Sequence, residues 1–268
     1  MFYAIAKNKI DMNGFQVEHV VEDIESLNQR ALKAELEVTA VSCHAYAYLA
    51  DRYAVMRSGA SVGDQYGPIL VAHKNSALFS KKEPLKPEYI RGKRIAIPGK
   101  LTTAYLSLQL FEKDFEPVFT PFDQIFDAVA VGKADLGLII HEGQITYEQL
   151  GFRNVLDLGI WWFDKHQLPL PLGIDVIRRD MGAETMRTFA TVFKESIQYA
   201  LDHRAPALDY ARDFGRGISE ELNDRFVGMY VNEYTVDLDT KGQDGLKTLL
   251  REGFEKGLLP RLVVPQFI

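Results

Sequence analysis

His141 is the side chain in this sequence best placed for acid–base chemistry. It closes the apolar run Ala134-Asp-Leu-Gly-Leu-Ile-Ile140, and an imidazole can take and return a proton near neutral pH. Upstream, Lys93-Arg-Ile-Ala-Ile-Pro98 reads as a short strand and Gly99-Lys-Leu101 as a turn. Thr102-Thr103-Ala104 then starts a helix that runs through Phe111. A strand, a turn and a helix start together aim free backbone N–H groups at an anion. The turn is not a phosphate loop, because Leu101 occupies the Ser/Thr place after Gly99-Lys100 and no glycine sits at the required upstream position. Ser42 stands at a second junction of the same kind, after the strand Val38-Thr-Ala-Val41 and before a helix over 43–52. The residue types leave both readings open in each case. His141 is either a general base or a hydrogen-bonded structural histidine. Thr102, Thr103 and Ser42 are helix caps that also meet a ligand, or caps alone.

The other five histidines have weaker positions. His19 lies in an alternating segment and His203 in a helix-to-helix turn. His73 and His166 flank passages between lobes, and His44 is just inside the helix that follows Ser42. Glu142 is a poor partner for orienting His141 if both lie on a strand, since successive strand side chains point to opposite faces. No His-Glu-x-x-His spacing and no Gly-x-Gly-x-x-Gly turn occurs, and Gly59-Ala-Ser-Val-Gly63, which has the Gly-x-Ser-x-Gly spacing, runs into the turn-forming Asp64-Gln-Tyr-Gly-Pro68 and not into a helix, so it is no nucleophile elbow; metal hydrolysis, serine hydrolysis and nicotinamide chemistry lose support. No metal and no cofactor are expected.

The elements that must position these residues alternate in type. After a short helix over 2–10 and the turn Asp11-Met-Asn-Gly14 come an alternating stretch Phe15–Val20, a helix starting at Asp23 and the strand 38–41. This is β-α-β order, which predicts parallel strands. Ile69–Ala72 and the polar loop 75–86, with Lys81, Lys82 and Lys86 as solvated surface, read as a crossing to a second lobe. Trp161-Trp162 and Leu168-Pro-Leu-Pro-Leu-Gly173 lead back to the strand Ile174–Ile177. From Ala183 the pattern is helical over 186–201, 206–214, 219–230 and 245–256, with Ser219 a cap and Glu220 and Glu221 in its first turn. The expected fold is therefore α/β with two lobes and a ligand cleft between them. Lobe one comprises residues 1–72 and 174–268, and lobe two residues 73–173. Trp161-Trp162 fit packing at the return crossing better than a stacking platform.

The chain has 268 residues with 47% hydrophobic composition, enough to bury a substantial core. With 37 acidic and 31 basic residues the net charge is −6. No basic tract marks a nucleic-acid or anionic-membrane partner. An anionic small molecule must then be met by local donors, since the overall field repels it. One cysteine, Cys43, excludes an internal disulfide framework, and no apolar run reaches the ~18–20 residues that span a bilayer. A cytoplasmic protein is expected.

Several segments taken together resemble a known family, the 1,4-dihydroxy-6-naphthoate synthases of the futalosine route to menaquinone. They include Ala40-Val-Ser42, Asp51-Arg-Tyr53, Arg57-Ser-Gly59, Ile97-Pro-Gly99, Thr102-Thr-Ala-Tyr105 and Gly137-Leu-Ile-Ile-His-Glu142. Thr146-Tyr147, Asp157-Leu-Gly159, Leu168-Pro-Leu-Pro-Leu-Gly173 and Tyr230-Val-Asn232 extend the resemblance over essentially the whole chain. It implies a periplasmic-binding-protein-like fold of type II and a lyase acting on cyclic dehypoxanthinyl futalosine without a cofactor. It further implies that His141 is the proton acceptor and that Ala40, Val41, Ser42, Thr103 and Ala104 bind substrate, with Thr102 beside them. Members of the family begin with a strand and a Ser-Pro-Cys-Pro-Asn-Asp-like loop ahead of the helix in which Met1 falls here. The expectation is that Met1 is an internal methionine or marks a truncation. A non-catalytic binding protein of the same fold is the alternative. A chorismate-dehydrating sister enzyme is disfavoured by the Ile-Ile-His-Glu and Thr-Thr-Ala-Tyr segments.

Overall fold

A computed structural model describes residues 1–76, 86–212, 224 and 227–268. Two sheets divide the chain. The first is built around one long strand, β9 (Leu170–Arg178), to which β1 (Val38–Ser42), β2 (Tyr53–Val55) and β3 (Ser61–Gly63) all pair antiparallel. The second has the order β6-β5-β7-β4-β8, from β4 (Ile69–His73), β5 (Arg94–Ile97), β6 (Glu116–Phe119), β7 (Leu136–Ile139) and β8 (Phe152–Asp157). Within it β6, β5 and β7 run parallel, with α4 (Thr103–Phe111) following β5 and α5 (Ile125–Ala130) preceding β7, while β4 runs antiparallel to both its neighbours. This is the expected two-lobed α/β architecture.

Three expectations need correction. Phe15–Val20 is not a strand, and Val17 and Val20 on that stretch are exposed, as is Val21 after it. Alternation alone cannot make a strand where no sheet edge hydrogen-bonds to it. Without that strand the proposed parallel pairing in the first lobe also falls, and β1 instead pairs antiparallel with β9. Third, the lobe boundaries move. Ile69–His73 lies in the second sheet, and β9 begins at Leu170 rather than 174. Pro171 masked the start of β9, because a proline removes a ladder donor. It is accommodated where β3 shifts register against β9 between Ser61 and Val62.

The chain thus crosses between sheets at residues 64–68 and again at 167–169. Both crossings are fixed by packing. Trp162, on α7 (Leu158–His166), is fully buried and its indole N–H donates to the Pro169 carbonyl at 3.1 Å. Asp157 caps α7 by accepting from the Gly159 and Ile160 N–H groups. Its carboxyl is pushed up to about 6 by burial, against those backbone bonds.

Elsewhere the helices follow their sequence signals. Asp23 caps α2 (Ile24–Leu32), and Asp239 caps the helix Thr240–Glu255. Helix α8 (Ala183–Asp202) packs Phe189, Phe193 and Ile197 with Ile5 of α1 (Tyr3–Ala6) and Ile177 of β9. Helix α9 (Arg204–Arg212) follows. The readings that involve Lys81, Lys82, Ser219, Glu220 and Glu221 lie outside the described residues. Among the described residues no helix is long and apolar enough to cross a membrane.

Gly159 of α7 packs directly against the backbone of the first crossing. A Cβ there would stand 2.0 Å from the carbonyl carbon and oxygen of Tyr66 and 2.5 Å from the Gly67 nitrogen. These are backbone atoms that cannot swing aside. Gly159→Ala should lower stability by about 3 kcal/mol or more, read as a drop in the urea midpoint. An unchanged midpoint would mean that the crossing is looser than this packing implies.

Candidate active site

The cleft between the sheets holds a cavity of about 250 Å³. From the first lobe it is lined by Ala40 and Ser42 of β1, Gly59, Ser61, and Leu172 to Asp175 of β9. From the second it is lined by Thr102, Thr103, Ala104, Ile140 and Gln144. Strand alternation explains which residues reach it. Ala40 and Ser42 face the cavity, whereas Val41 between them is fully buried in the core of the first lobe with Tyr46 and Val176.

The strand-to-helix junctions lock together here. Helix α3 (Cys43–Leu49) follows Ser42 directly, yet the Ser42 hydroxyl does not cap it. Buried Asn28 of α2 brackets Ser42 instead. It donates from Nδ2 to the hydroxyl at 3.1 Å and accepts the Ser42 N–H at Oδ1 at 2.9 Å. Thr102 does cap its helix, accepting the Tyr105 N–H at 3.2 Å and donating to the Gly99 carbonyl at 2.9 Å. Thr103 spans the lobes. Its hydroxyl accepts the Cys43 N–H at 2.8 Å and donates to the Leu172 carbonyl at 2.5 Å. Helix geometry leaves the N–H groups of Thr103 and Ala104 without intrahelical acceptors, and these are the donors an anion in the cavity would meet.

His141 sits differently from this group. It follows β7, but the strand ends at Ile139 and the ring does not line the cavity, although Ile140 and Gln144 do. Its Nε2 lies 2.8 Å from the Phe122 carbonyl and its Nδ1 accepts the Gly143 N–H at 3.0 Å. In this arrangement Nε2 is placed to donate and Nδ1 to accept. The faces of Phe122 and Phe126 flank it edge-on. Glu142, discounted on strand alternation, brings Oε2 to 3.7 Å from Nδ1. Alternation does not apply beyond the strand end, where the chain turns into α6 (Gly143–Thr146).

Three lining groups were not singled out from sequence. Gln144 donates to the Gly67 and Ile139 carbonyls at 2.9 and 3.2 Å and accepts from the Tyr230 hydroxyl, which ties the C-terminal segment to the crossing. Asp175 is 2% exposed, its Oδ2 has no hydrogen-bond partner, and burial pushes its carboxyl up to about 7. Gly59, with φ +96°, makes room for that carboxylate, since a Cβ there would come within 2.0 Å of Oδ2. Cys43 and His44, at the start of α3, are both buried. Burial drives the Cys43 thiol up to about 12 and the His44 ring down to about 4, so both are uncharged at neutral pH. A second cavity of about 350 Å³ lies beside the outer edge of β1, between residues 15–22 and α8, and Asp175 borders both. It is the larger, but it lies away from Thr103 and Ala104.

Asp175 also sets a pH dependence. The folded protein holds a proton to about 7 that the unfolded chain releases near 3.8. The group's contribution is therefore fully present at and below pH 4 and is lost as pH rises to about 7, a span on the order of 4 kcal/mol. Asp175→Asn should raise the melting midpoint by several degrees at pH 8 and by little at pH 5. An equal shift at both pH values would mean the carboxylate is not desolvated.

The menaquinone-biosynthesis family model matches residues 1–255. A 1,4-dihydroxy-6-naphthoate synthase of Thermus thermophilus is 37% identical over 268 residues, covering 100% of this chain and 94% of that protein. A crystal structure of an Archaeoglobus fulgidus protein is 46% identical with a TM-score of 0.88, covering 96% of this chain and 92% of that one. The alkanesulfonate-binding protein of Xanthomonas axonopodis pv. citri, at 13% identity and TM-score 0.64 over 90% of this chain and 82% of its own, shares the fold alone.

Proposed function

Since the chain belongs to the menaquinone-biosynthesis family, we propose that it is a lyase converting cyclic dehypoxanthinyl futalosine to 1,4-dihydroxy-6-naphthoate, with His141 as the general base. The observation that carries this reading is the full-length match to a 1,4-dihydroxy-6-naphthoate synthase, together with a cleft whose free donors suit a carboxylate. The His141 ring removes a proton from the cyclic substrate, carbon–carbon cleavage follows, and formation of the aromatic naphthoate drives it. Thr103 and Ala104 hold the substrate's carboxylate, while Ala40, Ser42 and Thr102 shape the wall around it. This chemistry asks for no cofactor.

The base must be delivered to the cleft. Nδ1 carries the lone pair in the tautomer described, and it is occupied by the Gly143 N–H. Proton transfer therefore requires that hydrogen bond to open, with His141 turning past Ile140 toward the cavity as the lobes move around a bound ligand.

The same engagement of both ring nitrogens favours, as a second reading, a structural His141 in a non-catalytic solute-binding protein. His141→Asn separates the two. As a base, His141 is worth ~10²–10⁴-fold in turnover of the cyclic substrate, with the melting midpoint little changed. A variant that keeps wild-type turnover sinks the base assignment. Wild-type protein that binds the substrate without forming dihydroxynaphthoate would favour the binding protein.

A further inference from the structure

We propose that Asp175 is a ligand-contacting residue of the cleft, accepting a hydrogen bond from a hydroxyl on the end of the ligand remote from its carboxylate. The inference deepens the proposed function and rests on it for the ligand class. Its physical basis is the state of the carboxylate itself. Buried carboxylates are ordinarily paired or fully hydrogen-bonded, because an uncompensated one carries a large desolvation cost. Asp175 lies on the central strand of the first sheet at 2% exposure with Oδ2 unpartnered, and it lines the cleft cavity. Gly59 is shaped around that oxygen and leaves no room for a side chain of its own.

Register places this acceptor relative to the donors. Thr103 bonds the Leu172 carbonyl, and Asp175 lies three residues further along β9, roughly 10 Å at the rise of a strand. Along this stretch of β9 the start of α4 thus lies toward one end of the cavity and the Asp175 side chain toward the other, with the apolar Leu172, Ile174 and Ile140 among the residues between and around them. A fused two-ring carboxylate with a hydroxyl on the far ring matches that spacing and polarity. An unsubstituted ring would leave Asp175 unpartnered. The hydroxyl also gives the enzyme a means of discrimination, because a site built around a hydrogen-bonding group rejects an analogue that lacks it.

The test compares 1,4-dihydroxy-6-naphthoate with 2-naphthoate, which keeps the carboxylate and both rings but has no hydroxyl, by calorimetric titration of the full chain. Wild type should bind the dihydroxy compound at least ~10-fold more tightly. In Asp175→Leu, near-isosteric but without an acceptor, that preference should fall below ~3-fold while 2-naphthoate binds as before. Asp175→Ala serves as a second variant and should lose the same preference. A preference that survives in the variants, or is absent in wild type, overturns the assignment. Turnover of the cyclic substrate by wild type is read separately. Turnover with an Asp175-independent preference refutes this inference alone, whereas an Asp175-dependent preference without turnover refutes only the lyase reading.

Discussion

Strand β9 is the constraint on which the rest of the first lobe depends, because β1, β2 and β3 all hydrogen-bond to it and to no other strand among the described residues. It also reaches the second lobe, since its Leu172 carbonyl receives the Thr103 hydroxyl. One strand therefore sets the sheet, the position of Ser42 opposite Gly173, and the place where the two lobes touch. A change that shifts β9 along its register would move every first-lobe residue of the cleft at once.

The junction at Thr103 shows how little is needed to couple the lobes. A single hydroxyl answers a donor of α3 and an acceptor of β9, both from the opposite lobe. Such a bond is worth only ~1 kcal/mol net, so it can define a closed arrangement without preventing opening. Opening costs more when the freed Cys43 N–H and Leu172 carbonyl stay dry, and less when water or ligand reaches them.

Much of this arrangement was legible in the sequence. The strand, turn and helix start at 93–111 declared themselves because a short apolar run, Gly99 and a capping threonine agree on one geometry. The segment Ala40-Val-Ser42 was expected in the cleft as a whole, and strand alternation on β1 places Val41 in the core instead. Other features depended on contacts remote in sequence. Asn28 holds Ser42 from 14 residues away, and nothing in an α2 sequence with a polar face marks that one asparagine as buried. Asp175 reads as a polar interruption of Ile174-Asp-Val-Ile177, which is also the pattern of an ordinary half-exposed strand. Phe15–Val20 failed in the opposite sense, having a strand's pattern without a neighbouring edge to bond. Pro171 concealed the start of β9 because a proline argues against a strand unless a register shift, itself invisible in sequence, makes room for it.

The cleft's electrostatics follow from what it excludes. Among its described lining residues there is no lysine, arginine or histidine, and the chain as a whole is negative. No cationic side chain is offered to an anion there, and the N–H groups at the start of α4 are the donors on that wall. Neutral donors of this kind discriminate poorly between one carboxylate and another, and the surrounding apolar wall adds shape but no polarity. Specificity must come from elsewhere in the cavity, and Asp175 is the lining side chain that the fold leaves with an unanswered oxygen. Ionising it in place costs stability, a cost that a hydrogen-bond donor reaching the carboxylate would offset.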